Sequence, residues 1–163
     1  MANILPRLFR LSAIASINAG LLAAWSLGRP AMADDWNEFR VCTAELLETG
    51  ITPQLASQAC GAALDPKELS LCVLKIAYYT PLSGREALSS CFEVRRPPEL
   101  ASCLIDIDEK TQNPNLPVAL DYCRRSLLPE RFGKCVVGLS AEVDLPLGQV
   151  MENCIDAEDF THQ

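Results

Sequence analysis

The sequence predicts an all-α protein made of disulfide-linked helical hairpin repeats with a period of about 31 residues, arranged as a compact or short superhelical array. Three observations predict it. Eight cysteines, from Cys42 to Cys154, are separated by 18, 12, 19, 12, 20, 12 and 19 positions, an alternation in the range of stacked helical hairpins. A proline stands six residues before every second cysteine of the short gaps, at Pro66, Pro97 and Pro129. After each proline, apolar residues recur at i, i+3, i+4 and i+7, which is one face of a helix and does not fit an alternating strand.

The amino terminus comes first. Arg7 and Arg10 precede an apolar run from Leu11 to Leu27, and Ala31-Met32-Ala33 offers the small-x-small pattern of a signal-peptidase site. Residues 1–33 therefore read as a signal peptide, and 34–163 as a single cysteine-rich helical repeat domain. The apolar run is shorter than the roughly 20 residues of a membrane span, and Asn18 and Gly20 weaken it further. Cleavage would remove Arg7, Arg10 and Arg29, leaving 11 of the 14 Lys and Arg against all 21 acidic residues, a net charge of about −10. Such a chain is repelled by nucleic acid and by anionic lipid surfaces.

The helices are of two types. Type A carries the stripes Leu69, Cys72, Val73, Ile76, then Leu100, Cys103, Leu104, Ile107, then Phe132, Cys135, Val136, Leu139. The first copy, Phe39, Cys42, Thr43 and Leu46, has one polar member. Asp65-Pro66-Lys67-Glu68 supplies a start signal: Asp65 as cap, Pro66 where no donor is lost, Glu68 as the partner of a capping box. Type B helices are predicted over 52–63, 84–94, 117–127 and 146–157, with Ala56, Ala87, Ala119 and Val150 four residues before their cysteines. Leu64 and Leu127 extend that stripe four residues beyond Cys60 and Cys123. Lys110 to Asn115, with Pro114 inside it, is the clearest polar linker. The residues ending in Thr161-His162-Gln163 are expected to fray.

An even cysteine count in an exported chain reads as a disulfide framework. Bridging the longer gaps gives Cys42–Cys60, Cys72–Cys91, Cys103–Cys123 and Cys135–Cys154. Bridging the short gaps gives Cys60–Cys72, Cys91–Cys103 and Cys123–Cys135, which strands Cys42 and Cys154. Turn geometry does not separate the two patterns; completeness favours the first.

Few residues point to chemistry. His162 is the single histidine, which argues against a His-centred triad, a His-x-x-x-His zinc helix or a haem attachment site. No two cysteines are closer than 12 positions, unlike a thiol redox pair or a paired-cysteine metal site. Asp106, Asp108 and Glu109, and again Glu152, Asp156, Glu158 and Asp159, form acidic clusters without an EF-hand loop. The aromatic residues are too dispersed for a cage to be read from them. No catalytic residue, metal site or cofactor is predicted. The candidate binding edge is Arg95, Arg96, Arg124 and Arg125 at equivalent type B exits, with Tyr78 and Tyr79 as a contact patch.

The function expected is that of an exported, non-enzymatic binding or scaffold protein in the periplasm, thylakoid lumen or extracellular space. Its expected partner is another exported protein, with no nucleic acid and no stable membrane span after cleavage. The alternatives are a carrier for a small apolar ligand between hairpins, and a thiol redox or soft-metal-binding protein.

Overall fold

The computed structural model describes residues 37–156, and its helices follow from caps, prolines and apolar stripes. Among these residues the order is α1 (Glu38–Glu48), α2 (Pro53–Ala62), α3 (Pro66–Tyr79), α4 (Gly84–Phe92), α5 (Pro97–Lys110), α6 (Leu116–Arg125), α7 (Pro129–Glu142) and α8 (Leu147–Asp156). Odd-numbered helices are type A and even-numbered helices type B. The segment 1–33, Trp36 and the stretch carrying Glu158, Asp159, Phe160 and His162 lie outside the described residues. No described helix is long and apolar enough to cross a membrane.

Pro66, Pro97 and Pro129 occupy the first helical position of α3, α5 and α7, where the missing N–H has no intrahelical partner to lose. Asn37, Thr52, Asp65 and Asn115 accept N–H bonds from the first turns of α1, α2, α3 and α6. The Asp65 carboxylate accepts from Glu68 N–H at 2.9 Å. The reciprocal capping box, however, forms at α4: Ser83 accepts from Glu86 N–H, and the Glu86 carboxylate accepts from the Ser83 N–H and hydroxyl at 2.9 and 2.6 Å. Those bonds hold the Glu86 carboxyl below its ordinary pKa. The polar linker begins one residue later than expected, because Lys110 is still helical and ion-paired with Asp106.

Type A helices form one layer, α1 on α3, α3 on α5 and α5 on α7. What allows the close approach is a small residue two positions before the cysteine: Ser70, Ala101 and Gly133 are all buried there. Ser70 on α3 donates its hydroxyl to Glu45 on α1 at 2.6 Å. A Cβ at Gly133 would lie 3.2 Å from the Cα of Cys103 on α5. Each type B helix is tied to its own type A helix by one disulfide: Cys42–Cys60, Cys72–Cys91, Cys103–Cys123 and Cys135–Cys154, with Cα atoms 5.9 to 6.0 Å apart. This is the pattern across the longer gaps.

The type A stripes form the core. Leu69, Cys72, Val73, Ile76, Leu100, Cys103, Leu104 and Ile107 are buried, as are Ala56, Ala87, Ala119 and Val150 from the type B helices. The stripes fail only at the two ends of the array, where Phe39 is 47% and Leu139 39% exposed. Leu64 and Leu127 do not extend the type B stripe; both are highly exposed. The reason is local. Ala63 and Ser126 cap their helices in extended conformation, so the next residue has left the helical face.

Consecutive hairpins also meet where α4 begins. A Cβ on Gly84 would fall 2.6 Å from Thr49 Oγ1 and 2.7 Å from the Thr49 carbonyl oxygen, so backbone would have to move. Gly84→Ala is expected to cost about 1–3 kcal/mol in urea unfolding, because overpacking is not offset by helix propensity at a first-turn position. Gly133→Ala meets a looser contact inside a helix, where alanine regains about 1 kcal/mol of propensity. Its net effect is expected to stay within about 1 kcal/mol, and equal losses at the two glycines would contradict this account.

Candidate functional site

The type B layer is less tightly closed than the type A layer. Helix α4 packs against α6, and α6 against α8, but α2 and α4 are not a packed pair. Between them lies an open groove of about 520 Å³. The sequence of α2 explains the opening: Ala56, Ala59, Gly61 and Ala62 give it little side-chain volume with which to reach its neighbour.

Ala59 and Leu88 are buried and form the floor, while Leu55 and the exposed Phe92 line the sides. Leu55, Ala59 and Ala62 recur at i, i+4 and i+7 on α2, and Leu88 and Phe92 at i and i+4 on α4. Each set is thus a single helical face turned to the groove. Gln58, Arg85, Ser89 and Glu93 form the polar rim. A second cavity of about 540 Å³ shares Ala62 and Phe92 with the first and continues past Leu64, Val94 and Arg95. The apolar surface therefore runs from the α2–α4 groove to the turns that begin α3 and α5.

The arginines lie at one end of the hairpins, and three of the four, Arg96, Arg124 and Arg125, are tied to acids. Arg124 donates to Glu93 at 2.5 Å and to Asp121 at 2.6 Å, joining the exits of α4 and α6 across 31 residues of sequence. Arg125 pairs with Asp121 at 3.5 Å and sits 5.4 Å from the Tyr122 ring centroid. Arg96 reaches Glu99 at 3.4 Å, and Arg95 lines the second cavity. The result is an edge of mixed charge, with Arg95 adjoining the apolar groove.

Tyr78 and Tyr79 are not part of that edge. They end α3, and α3 ends where α4 begins, at the opposite end of the hairpin from the α4 exit. Their rings meet edge to face at 5.0 Å and both are exposed. Tyr79 borders a different hollow, over the outer surface of the type A layer, with Lys75, Asp106 and Lys134.

Ion pairing at the mixed edge has a pH signature. The hydrogen bond from Arg124, more than any other contact, holds the Asp121 carboxyl below its ordinary value. Its contribution to stability is present above the unfolded carboxylate pKa of about 4 and is lost as pH falls through the lower folded value. Both partners are well exposed, so Asp121→Asn is expected to cost less than about 1 kcal/mol at neutral pH. The variant should also lose less stability than the parent on acidification below about pH 4, measured by urea unfolding across pH.

Among the described residues, no three His, Cys, Asp or Glu side chains converge as a metal site, and every cysteine is in a disulfide. The groove residues Leu55, Leu88 and Phe92 were not singled out by sequence. One signal was available: Phe92 follows the type B cysteine at a position held by Gly61, Arg124 and Ile155 in the other copies. Comparison with protein-family models, with curated proteins and with solved structures finds no match to the chain.

Proposed function

We propose that the protein is an exported, non-enzymatic binding module, and that an amphipathic helical segment of another exported protein docks in the groove between α2 and α4. The observation that carries this reading is the open apolar groove with a polar rim. Its bounding helices are 10 and 9 residues long, so each offers about 14 Å of wall, enough for two to three turns of a helix. Helix-in-groove recognition uses this kind of apolar floor with anchors at helical spacing. The acidic balance of the chain favours a basic segment.

The openness of the groove supports a protein segment over the carrier reading, since a small apolar ligand would remain partly in water there. The engagement of all cysteines in disulfides supports a structural role for them over thiol redox or soft-metal chemistry. Export accounts for how four such bonds form and persist. Protein recovered from its native cells should begin at Asp34, read by amino-terminal mass mapping. An intact Met1 end would overturn cleavage.

The binding reading is tested with a photo-crosslinking residue at Gln58, on the groove rim, in the native exported fraction. A protein adduct that disappears when Phe92→Asp is added supports the proposal. An adduct to lipid or pigment would instead establish the carrier reading. Protein adducts unaffected by Phe92→Asp would remove the groove as the docking surface.

A further inference from the structure

We propose that the Cys135–Cys154 bridge is a site of reversible thiol–disulfide exchange, opened by a dithiol while the other three bridges stay closed, and that its opening frees α8 from α7. The inference does not depend on the groove between α2 and α4.

The four bridges differ in access and in little else. Their sequence separations are 18, 19, 20 and 19, so the loops they close have nearly the same entropy. Seven of the eight cysteines are at most 3% exposed, and Cys135 alone is only partly buried. Packing between type A helices explains the difference. A Cβ on Gly133 would meet the Cα of Cys103 at 3.2 Å and its Sγ at 3.6 Å, so α7 closes directly over that cysteine. Ala101 and Ser70 hold the place of Gly133 on α5 and α3, which pack on α3 and α1. Cys72 and Cys42, on the helices so covered, are fully buried. Among the described residues α7 is the last type A helix, and no small residue of a following one is set over Cys135.

Exchange requires a thiolate to reach a disulfide sulfur. At Cys135 this approach is open in the folded protein, whereas at the other bridges the hairpins must first part. A thiolate of the dithiol bonds to Cys135 Sγ, the bond to Cys154 breaks, and Cys154 leaves as a thiolate that takes a proton from water. The second thiol of the dithiol then attacks its own sulfur in this mixed disulfide and expels Cys135 as a thiolate. The dithiol ends oxidised to a disulfide, and Cys135 and Cys154 end reduced by two electrons together.

Helix α8 depends on this bridge. It has 10 residues, too few to persist alone in water. Val150 and Met151 are buried and Leu147 and Ile155 partly buried, and these side chains hold it against α7 and α6 once the covalent tie is gone.

The test exposes the full chain, folded and with all bridges formed, to dilute dithiothreitol. Thiols are blocked with iodoacetamide at intervals and the labelled cysteines mapped by mass. Cys135 and Cys154 should be labelled at least roughly tenfold faster than the other six. Hydrogen exchange on the same samples should show α8 losing protection while α1 to α6 keep theirs. Brief treatment with glutathione should leave its adduct on Cys135. In urea that unfolds the protein, the four bridges should open at similar rates. Bridges that open together in the folded protein, or another that opens first, overturn the selectivity. An adduct on Cys154 overturns Cys135 as the attacked sulfur, and unchanged α8 protection after reduction overturns its release. A preference for Cys135–Cys154 that survives in urea places its cause in the local sequence and overturns the packing argument.

Discussion

Replacing Cys103 and Cys123 together by alanine is expected to lower the stability of the protein by about 3–5 kcal/mol, measured by urea unfolding under non-oxidising handling. The bridge joins residues 20 apart, and the chain-entropy account gives about 3 kcal/mol for a loop of that size. The remainder comes from volume. Both cysteines are fully buried, so alanine leaves a void between α5 and α6 that the packed layer cannot fill. Removing both avoids a lone thiol that could exchange with the other bridges.

The same replacement at Cys135 and Cys154 separates the two contributions. That loop spans 19 residues, so its entropy term is nearly identical. Cys135 is only partly buried, in the last described hairpin, so its void is smaller. The terminal pair should therefore cost about 1 kcal/mol less than the central pair. Equal losses would mean that loop entropy alone governs the framework and that packing around the sulfurs contributes little.

The second large effect is expected at Phe132. It is among the largest fully buried side chains, and its ring lies parallel to Tyr122 with centroids 6.1 Å apart. That pair joins the third hairpin to the fourth. Phe132→Ala is expected to cost about 3–5 kcal/mol, the range for deleting a buried aromatic ring. Phe132→Leu should cost about 1–1.5 kcal/mol, because Leu69 and Leu100 fill the equivalent position in α3 and α5. Phe39→Ala should cost less than about 1 kcal/mol, since Phe39 has the same place in the repeat but is exposed, with no hairpin before it among the described residues. If Phe39→Ala and Phe132→Ala destabilised equally, burial against the preceding hairpin would not be what sets the cost.

These contrasts mark where the sequence could be read. Pro66, Pro97 and Pro129 announced helix starts because a fixed φ and a missing donor act within one turn. The i, i+3, i+4, i+7 stripes announced the core faces because a helix places those residues together whatever surrounds it. The cysteine rhythm named the repeat and left two pairing patterns, of which completeness favours the one observed. Leu64 and Leu127 fall off the stripe because they lie past Ala62 and Arg125, where the chain turns extended and the helical period no longer applies.

The candidate site was hidden for a different reason. Nothing within α2 or α4 states that the two stand apart; the groove arises because α2 is lined with alanine and glycine while the type A layer beneath it fixes its position. The Arg124–Glu93 tie, 31 residues apart, converts an expected basic edge into a mixed one, and only the stacking of hairpins brings the two side chains together. Phe39 and Leu139 read as core by pattern and are exposed by placement.

By itself, then, the sequence determined the helical class, the hairpin period and the core face of each helix, because these depend on interactions within a few turns or on covalent links at regular spacing. Tertiary structure decided which faces meet, which stay open and which charges pair. Those outcomes depend on the volumes of side chains distant in the chain, and on whether a neighbouring hairpin exists to cover them.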